Sequence, residues 1–319
     1  MSKVVRFHQA GPPSVLVLEE EQVGVPGPGQ VRLRQEAIGV NFVDTAFRDG
    51  SFRTALPAVG GVQAAGTVDA VGPGVTDFAV GDRVAYFFAP GSYAEARLVD
   101  ADVLVPLPAT ISNEVAAAVM TKGLTAWMAV RKLHAVAAGE TVLVQGASGG
   151  VGNLVARWAR LLGATVIGTG SKSRLADIEA AGIQALASDD PELVSKVRAI
   201  APGGVDVVFE FVGRATFDAS AGAVRDGGTI LTIGAASGAP VIDKSALAAR
   251  SVTLSGGSTA QMVAGALLRS ASGELFDLVA QGKLGEFPVQ RYPLADAAQA
   301  HADIAARNRT GYQILVPSL

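Results

Sequence analysis

The run Thr141-Val142-Leu143-Val144-Gln145-Gly146-Ala147-Ser148-Gly149-Gly150-Val151-Gly152 constrains this chain more than any other stretch, because it reads as a buried strand turning sharply into a helix. Val142, Leu143 and Val144 form the strand. Leu154, Val155, Trp158, Leu161 and Leu162 follow helical spacing over 153–162, and 165–169 supplies the next strand. In such a turn Gly146 permits the reversal, and Gly149 and Gly150, with Val151 beside them, let backbone approach a pyrophosphate. Gly152 lets the new helix pack closely on the sheet, with its free N–H groups facing an anion. An ordinary tight strand-to-helix turn is the plainer reading; the complete strand, turn, helix and strand unit points instead to a bound dinucleotide.

The end of the second strand selects among dinucleotides. A chain that prefers NAD places an Asp or Glu about 20 residues beyond the glycines, where it accepts from the ribose 2′-hydroxyl. Here that place reads Gly168-Thr169-Gly170-Ser171-Lys172-Ser173-Arg174, with hydroxyls and two cations but no carboxylate. Such a set suits a 2′-phosphate, so NADPH is the expected cofactor, with Gly170, Ser171, Lys172 and Arg174 around its adenosine end. Alternatively, Lys172 and Arg174 only solvate the first turn of a helix expected over 174–181, where cations are mildly unfavourable. Asp189 counts against NADPH, since a carboxylate facing the phosphate would repel it.

At 319 residues the chain exceeds one typical domain. Apolar residues at 49% and charged ones at 17% provide for large cores and exclude a disordered chain. A net charge of −3 offers no basic face, so neither nucleic acid nor a membrane surface is an expected partner. Cysteine is absent, which removes disulfides, thiolate nucleophiles and Cys-containing zinc sites and fits a reducing compartment. With no apolar run of membrane-spanning length, the cytoplasm is the expected location.

Up to residue 99 the pattern is short strands, at 15–20, 30–38, 62–71, 83–88 and 93–99, separated by Pro26-Gly27-Pro28-Gly29, Gly72-Pro73-Gly74 and Gly81-Asp82. This is a barrel-like set. From Ser112 the period becomes helical, and strands at 140–145, 165–169, 205–210 and 229–233 then alternate with helices, as in a doubly wound parallel sheet that 252–254 extends. Helices over 262–281 and 294–307 and a strand over 312–316 close the chain.

This order of parts resembles the medium-chain dehydrogenase/reductase superfamily over nearly the full length, in its quinone oxidoreductase, zeta-crystallin-like branch. The resemblance is carried by Gly39-Val40-Asn41-Phe42-Val43-Asp44-Thr45, Gly81-Asp82-Arg83-Val84, Gly91-Ser92-Tyr93-Ala94-Glu95, Lys122-Gly123-Leu124-Thr125-Ala126 and the glycine turn. It implies an α/β chain: a GroES-like β-barrel domain at 1–120, completed by 265–319, and a Rossmann doubly wound parallel sheet domain at 121–264. It also implies an active site between the domains and a homodimer formed through the nucleotide domains. Zinc-dependent relatives hold their metal with a Cys and a Gly-His-Glu segment. This chain has neither, and in Val59-Gly60-Gly61-Val62-Gln63-Ala64-Ala65-Gly66 it carries Gln63 at the usual Glu place. His8, His134 and His301 lie in separate segments without ligand spacing, so no metal is expected.

By the same resemblance, Asn41, Asp44 and Thr45 border the nicotinamide and the acceptor, Lys122 and Thr125 face them from the start of the nucleotide domain, and Arg307 reaches the cofactor. Catalytic roles then fall to Asn41, which polarises the acceptor oxygen, to Asp44, and to Lys122, which binds cofactor or stabilises enolate-like charge. Each has a plainer reading: Asn41 as a turn former, Asp44 as the cap of a short helix over 45–48, and Lys122 and Arg307 as solvated helix cations. Tyr93 is assigned to support of the barrel. Phe211-Val212-Gly213 and Ile233-Gly234-Ala235-Ala236-Ser237 end two strands at the carboxyl edge of the sheet, which puts Phe211, Gly234 and Ser237 at the cofactor. Ala46 and Phe52 stand where related quinone reductases often carry tyrosines, so no phenolic proton donor is expected there.

Without a Lewis acid, the fitting acceptor is a quinone or conjugated enone, which spreads incoming hydride charge onto its own oxygen. The expected activity is NADPH-dependent, metal-independent reduction of such a small molecule. Reduction of an enoyl-thioester or alkenal double bond is the alternative enzymatic reading. An NADPH-binding structural or RNA-binding crystallin-like protein is the non-enzymatic one, and the acidic balance argues against RNA as its principal ligand.

Overall fold

The computed structural model describes residues 1–306 and 311–319. In chain order its elements begin with β1 (Ser2–Phe7), β2 (Val17–Glu21), β3 (Gln30–Gly39), α1 (Phe42–Asp49), β4 (Ala58–Val59), β5 (Ala64–Val71), β6 (Arg83–Tyr86), β7 (Ala96–Asp100), β8 (Leu104–Pro106) and α2 (Asn113–Trp127). There follow β9 (Thr141–Gln145), α3 (Gly150–Leu161), β10 (Thr165–Gly170), α4 (Leu175–Glu179), β11 (Gln184–Ala187), α5 (Leu193–Ile200), β12 (Val205–Glu210), α6 (Phe217–Ala223), β13 (Val224–Thr232), α7 (Lys244–Ala249) and β14 (Thr253–Ser255). The last are α8 (Thr259–Met262), α9 (Ala266–Ala280), β15 (Val289–Pro293), α10 (Ala297–Ala305) and β16 (Tyr312–Val316).

These elements fall into two compact units. Met1–Thr121, Ala264–Ala280 and Glu286–Leu319 make the first, and Lys122–Val263 with Gln281–Gly285 make the second. The short piece Gln281–Gly285 thus joins the nucleotide-type unit, where Leu284 is fully buried and Gly285 lies against the Arg157 guanidinium.

In the first unit β15, β16, β3, β5, β6 and β8 lie side by side, with β7 also paired to β3, and a smaller sheet runs β2-β1-β4. Alternation along β3 sends Val31 and Leu33 inward, where they join Ile38, Val68, Val84, Tyr86 and Leu104 in one core. The C-terminal strand is built into this sheet: β16 runs parallel to β15 and antiparallel to β3.

In the second unit the six strands stand in the order β11-β10-β9-β12-β13-β14, and every pairing is parallel. This is the doubly wound arrangement in which the order reverses beside the first strand, here between β9 and β12. Central strands covered on both faces read as continuous apolar runs, and Leu143, Ile167, Val208 and Ile230 are all fully buried.

Several boundaries differ from the sequence expectation for identifiable reasons. The helix after the glycine turn starts at Gly150 rather than residue 153, because Gly149 in extended geometry already acts as its N-cap. The single helix expected over 262–281 is two, α8 and α9, separated at Gly265, whose φ of +57° a right-handed helix cannot contain. The helix expected over 174–181 shrinks to a 3-10 turn, Lys172–Arg174, and the short α4. Conversely α1 runs from Phe42 to Asp49, longer than the 45–48 anticipated, because its cap lies at Asn41.

Candidate active site

In the second unit the turn after β9 has the geometry a dinucleotide phosphate requires. Gly146 has φ +76°, and a Cβ on Gly152 would stand 2.2 Å from the Gly146 carbonyl oxygen, so only glycine lets the helix approach the strand end. Gly149 is the N-cap of α3, and Gly150, Val151 and Gly152 form its first turn, which carries no side-chain cap and no acidic residue. The first-turn amides and the positive end of a 12-residue helix are thereby presented to an anion.

β10 ends at the buried Gly170, where a Cβ would meet the Ser148 hydroxyl and Ile178 at 3.0 Å. Ser171, Lys172 and Arg174 follow on the exposed surface, with the Ser171 and Ser173 hydroxyls 3.2 Å apart. Arg174 Nε lies 2.6 Å from Asp177 in an exposed pair that a phosphate could replace at little cost. A second carboxylate drawn toward cations here is Asp190. Its carboxyl is held below the usual range chiefly by a hydrogen bond from Lys196 at 2.5 Å, with Lys172 a smaller contributor.

The other carboxyl-edge residues divide. Gly234 is dictated by packing, since a Cβ would lie 2.7 Å from the Phe211 carbonyl oxygen, which accepts the Ala236 amide at 3.4 Å. The Ser237 hydroxyl donates to the Val212 carbonyl at 2.8 Å and accepts the Ala215 amide at 3.0 Å, so it ties two loop segments together. Lys122 and Thr125 sit three residues apart on α2, on neighbouring positions of one face, and the Thr259 hydroxyl donates to that of Thr125 at 3.0 Å. Arg307 lies outside the described residues.

In the first unit Asn41, Asp44 and Thr45 come together at the start of α1. Asn41 is the N-cap in extended geometry; its amide donates to Asp44 Oδ2 at 2.7 Å, and Thr45 donates to the Phe42 carbonyl at 2.7 Å. The Asp44 carboxylate, 2% exposed, therefore serves as the N3 half of a capping box. It also accepts the Tyr93 hydroxyl at 3.2 Å, and that hydroxyl is 2.8 Å from His301 Nε2. Burial beside Asp44 pushes the Tyr93 phenol well above its ordinary range, and burial beside Arg48 pulls His301 down to about 3. Tyr93 thus supports the barrel, as expected, and also braces the Asn41–Asp44 cap.

The chain matches the zinc-binding dehydrogenase family over residues 150–272 and the alcohol dehydrogenase GroES-like domain family over residues 27–109. It is 39% identical to a quinone oxidoreductase of Pseudomonas aeruginosa, over 99% of this chain and 100% of the relative, and 36% identical to a 2-haloacrylate reductase of Burkholderia, over 98% of each. The crystal structure of Escherichia coli quinone oxidoreductase complexed with NADPH superposes with a TM-score of 0.93 at 34% identity, covering 99% of this chain and 100% of that one. The chain belongs to the quinone oxidoreductase branch of the medium-chain dehydrogenase/reductase superfamily. As a member of that branch it is an oxidoreductase, with a GroES-like first unit and a Rossmann second unit.

A zinc ion does not fit the side chains present. There is no cysteine, and among the described residues no group of three His, Asp or Glu converges as ligands. His8 pairs with Glu19 at 2.6 Å and His134 with Glu140 at 3.0 Å, while His301 is committed to Tyr93. Gln63 is wholly buried: its Oε1 accepts the Thr121 amide at 2.6 Å and the Thr121 hydroxyl, and its Nε2 donates to the Ala117 carbonyl. That last bond needs a donor, which a carboxylate lacks, so the amide is a structural choice at this position.

Sequence reasoning did not find a second buried network at the strand ends of the nucleotide unit, formed by Gln145, Thr169, Glu210 and Ser220, all 0% exposed. Its signal was present: polar residues closing otherwise apolar strands.

Proposed function

We propose that this protein is an NADPH-dependent quinone oxidoreductase that reduces a quinone or conjugated enone by hydride transfer without a metal. The observation that carries the cofactor choice is the end of β10, where exposed Ser171, Lys172 and Arg174 stand in place of a ribose-binding carboxylate. The NADPH complex of the E. coli relative supports it. Gly146, Gly149, Gly150, Val151 and Gly152 would hold the pyrophosphate, the β10 end the 2′-phosphate, and Phe211, Gly234 and Ser237 the nicotinamide side. When bound, NADPH supplies the hydride.

The chain's own part is positioning and charge stabilisation. Asn41 is assigned to polarise the acceptor oxygen, since its backbone is fixed by Asp44 and its amide side chain is a neutral donor. Lys122 is assigned to the growing negative charge and Thr125 to the cofactor. Asp44 acts through Asn41, as the group that holds the cap. Hydride addition to a quinone leaves a hydroquinone monoanion that takes up one proton, which solvent can supply, so no phenolic donor is required at Ala46 or Phe52.

The identity to a 2-haloacrylate reductase supports conjugated-alkene reduction as a second reading for the same site. Following NADPH absorbance with purified protein and a panel of quinones, enones and 2-haloacrylate tests both. Turnover of quinones is expected; NADPH oxidation no faster than without protein across the panel rejects the assignment. We also assign the protein to the cytoplasm as a homodimer through its nucleotide units. Light scattering should give twice the monomer mass. Among the described residues no helix is long and apolar enough to cross a membrane.

A further inference from the structure

Glu210, the last residue of β12, is a fully buried carboxylate, and four donors surround it. Oε1 accepts the amides of Val212 at 2.8 Å and Gly213 at 2.9 Å and the Thr216 hydroxyl at 2.8 Å, while Oε2 accepts the Ser220 hydroxyl at 2.6 Å. With both hydroxyls and both amides donating to Glu210, the direction of each further bond follows. The Ser220 hydroxyl donates to Glu210, so its oxygen accepts from Gln145 Nε2 at 3.1 Å. The Gln145 carbonyl oxygen then accepts the Thr169 hydroxyl at 2.6 Å, and Thr169 Oγ1 accepts the Gly146 amide at 3.3 Å. One directional chain therefore runs from the first glycine of the turn, through the ends of β9 and β10, to the carboxylate at the end of β12.

We propose that Glu210 is a positioning residue for the dinucleotide, setting through this chain both the glycine turn after β9 and the loop after β12. The inference rests on the NADPH reading above and adds to it a part that no cofactor-contacting residue supplies. The Gly146 amide is turned inward to the Thr169 hydroxyl, the Ala147 amide donates to the Thr169 carbonyl at 2.8 Å and the Gly149 amide to the Gly146 carbonyl at 2.9 Å, which leaves the first-turn amides of α3 to meet the pyrophosphate. On the other side Glu210 holds the Val212 and Gly213 amides by its side chain and the Ile233 and Gly234 amides by its carbonyl, at 3.0 and 3.2 Å. Both segments nominated for the cofactor thus refer to one anchor. Burying a carboxylate on hydrogen bonds alone costs free energy that an apolar side chain would not, and rigid placement of two loops is what it returns.

Thr169→Val removes the hydroxyl at nearly constant shape and is the decisive variant; Ser220→Ala breaks the chain one link from Glu210, and Thr169→Ser restores the hydroxyl. Dissociation constants come from NADPH and NADH fluorescence titration, and turn order from amide exchange at Gly146 with no nucleotide present. The expected result is that Thr169→Val and Ser220→Ala weaken both nucleotides by the same factor, about fivefold to tenfold, as one buried hydrogen bond is lost. Gly146 exchange should rise in Thr169→Val, and Thr169→Ser should bind like the parent. Lowered melting temperature with unchanged affinity and unchanged Gly146 exchange would overturn the inference and leave only a structural role. If the parent protein binds neither nucleotide, the functional reading itself is wrong; parent binding with unaltered variants rejects the positioning role alone.

Discussion

The hydroxyl of Tyr93 stands 3.2 Å from Oδ2 of Asp44, the same oxygen that accepts the amide of Asn41. Its other neighbour is His301 Nε2, and on the far side of that ring Arg48 Nη1 lies 3.5 Å from Nδ1. A guanidinium only donates, so Nδ1 accepts, the neutral imidazole carries its proton on Nε2, and Tyr93 is left to donate to Asp44. The C-terminal helix α10 thereby braces the cap of α1 through two buried side chains.

Tyr93→Phe keeps the ring and removes that brace. Unfolding in urea should show a loss of about 1–3 kcal/mol, the range for a buried hydrogen-bonding group deprived of its partner. Unaltered stability would mean that the phenol contributes only its ring.

The pH dependence of stability should carry the mark of His301. Burial and then the Arg48 charge lower its pKa from the ordinary 6.5 to about 3, so between those values the unfolded chain binds a proton that the folded protein does not. Its contribution is complete above pH 6.5 and is lost as pH falls toward 3, by about 1.4 kcal/mol per pH unit. His301→Gln, which retains a donor toward Tyr93, should flatten this slope relative to the parent when unfolding is measured at several pH values from 4 to 7.

Replacing both Lys172 and Arg174 by Ala should weaken NADPH by about tenfold or more while leaving NADH nearly unchanged, because in the proposed binding mode these cations would meet only the extra phosphate. The NADPH affinity of the parent should also fall with salt more steeply than that of the variant. Equal loss for both nucleotides in titrations would remove the selectivity role.

Gly152→Ala and Gly149→Ala make a contrasting pair. The new methyl meets the Gly146 carbonyl at 2.2 Å in the first and at 3.1 Å in the second. Gly152→Ala should cost about 1–3 kcal/mol as strand end and helix are forced apart, with loss of nucleotide binding, whereas Gly149→Ala should retain most of its stability. Thermal unfolding with and without NADPH distinguishes them.

Gln63→Glu should destabilise the barrel unit by about 1–3 kcal/mol, since the carboxylate cannot donate to the Ala117 carbonyl. Zinc should not rescue its melting temperature, because the chain has no cysteine and, among the described residues, no group of His, Asp or Glu completes a metal site.

What the sequence determined by itself was local. The sign of φ at Gly146, the small residues at 149–152 and the apolar strand Val142–Val144 are requirements met within a few residues, and all are readable without a partner elsewhere. The motif order along the chain placed it in its superfamily for the same reason. Tertiary structure alone decided where buried polar groups find their partners. Tyr93 meets His301 across 208 positions, and Gln145 meets Ser220 across 75 only because β9 lies between β10 and β12. A buried donor must be satisfied by whatever the packing brings within about 3 Å, and that neighbour follows from strand order rather than from anything adjacent in the chain.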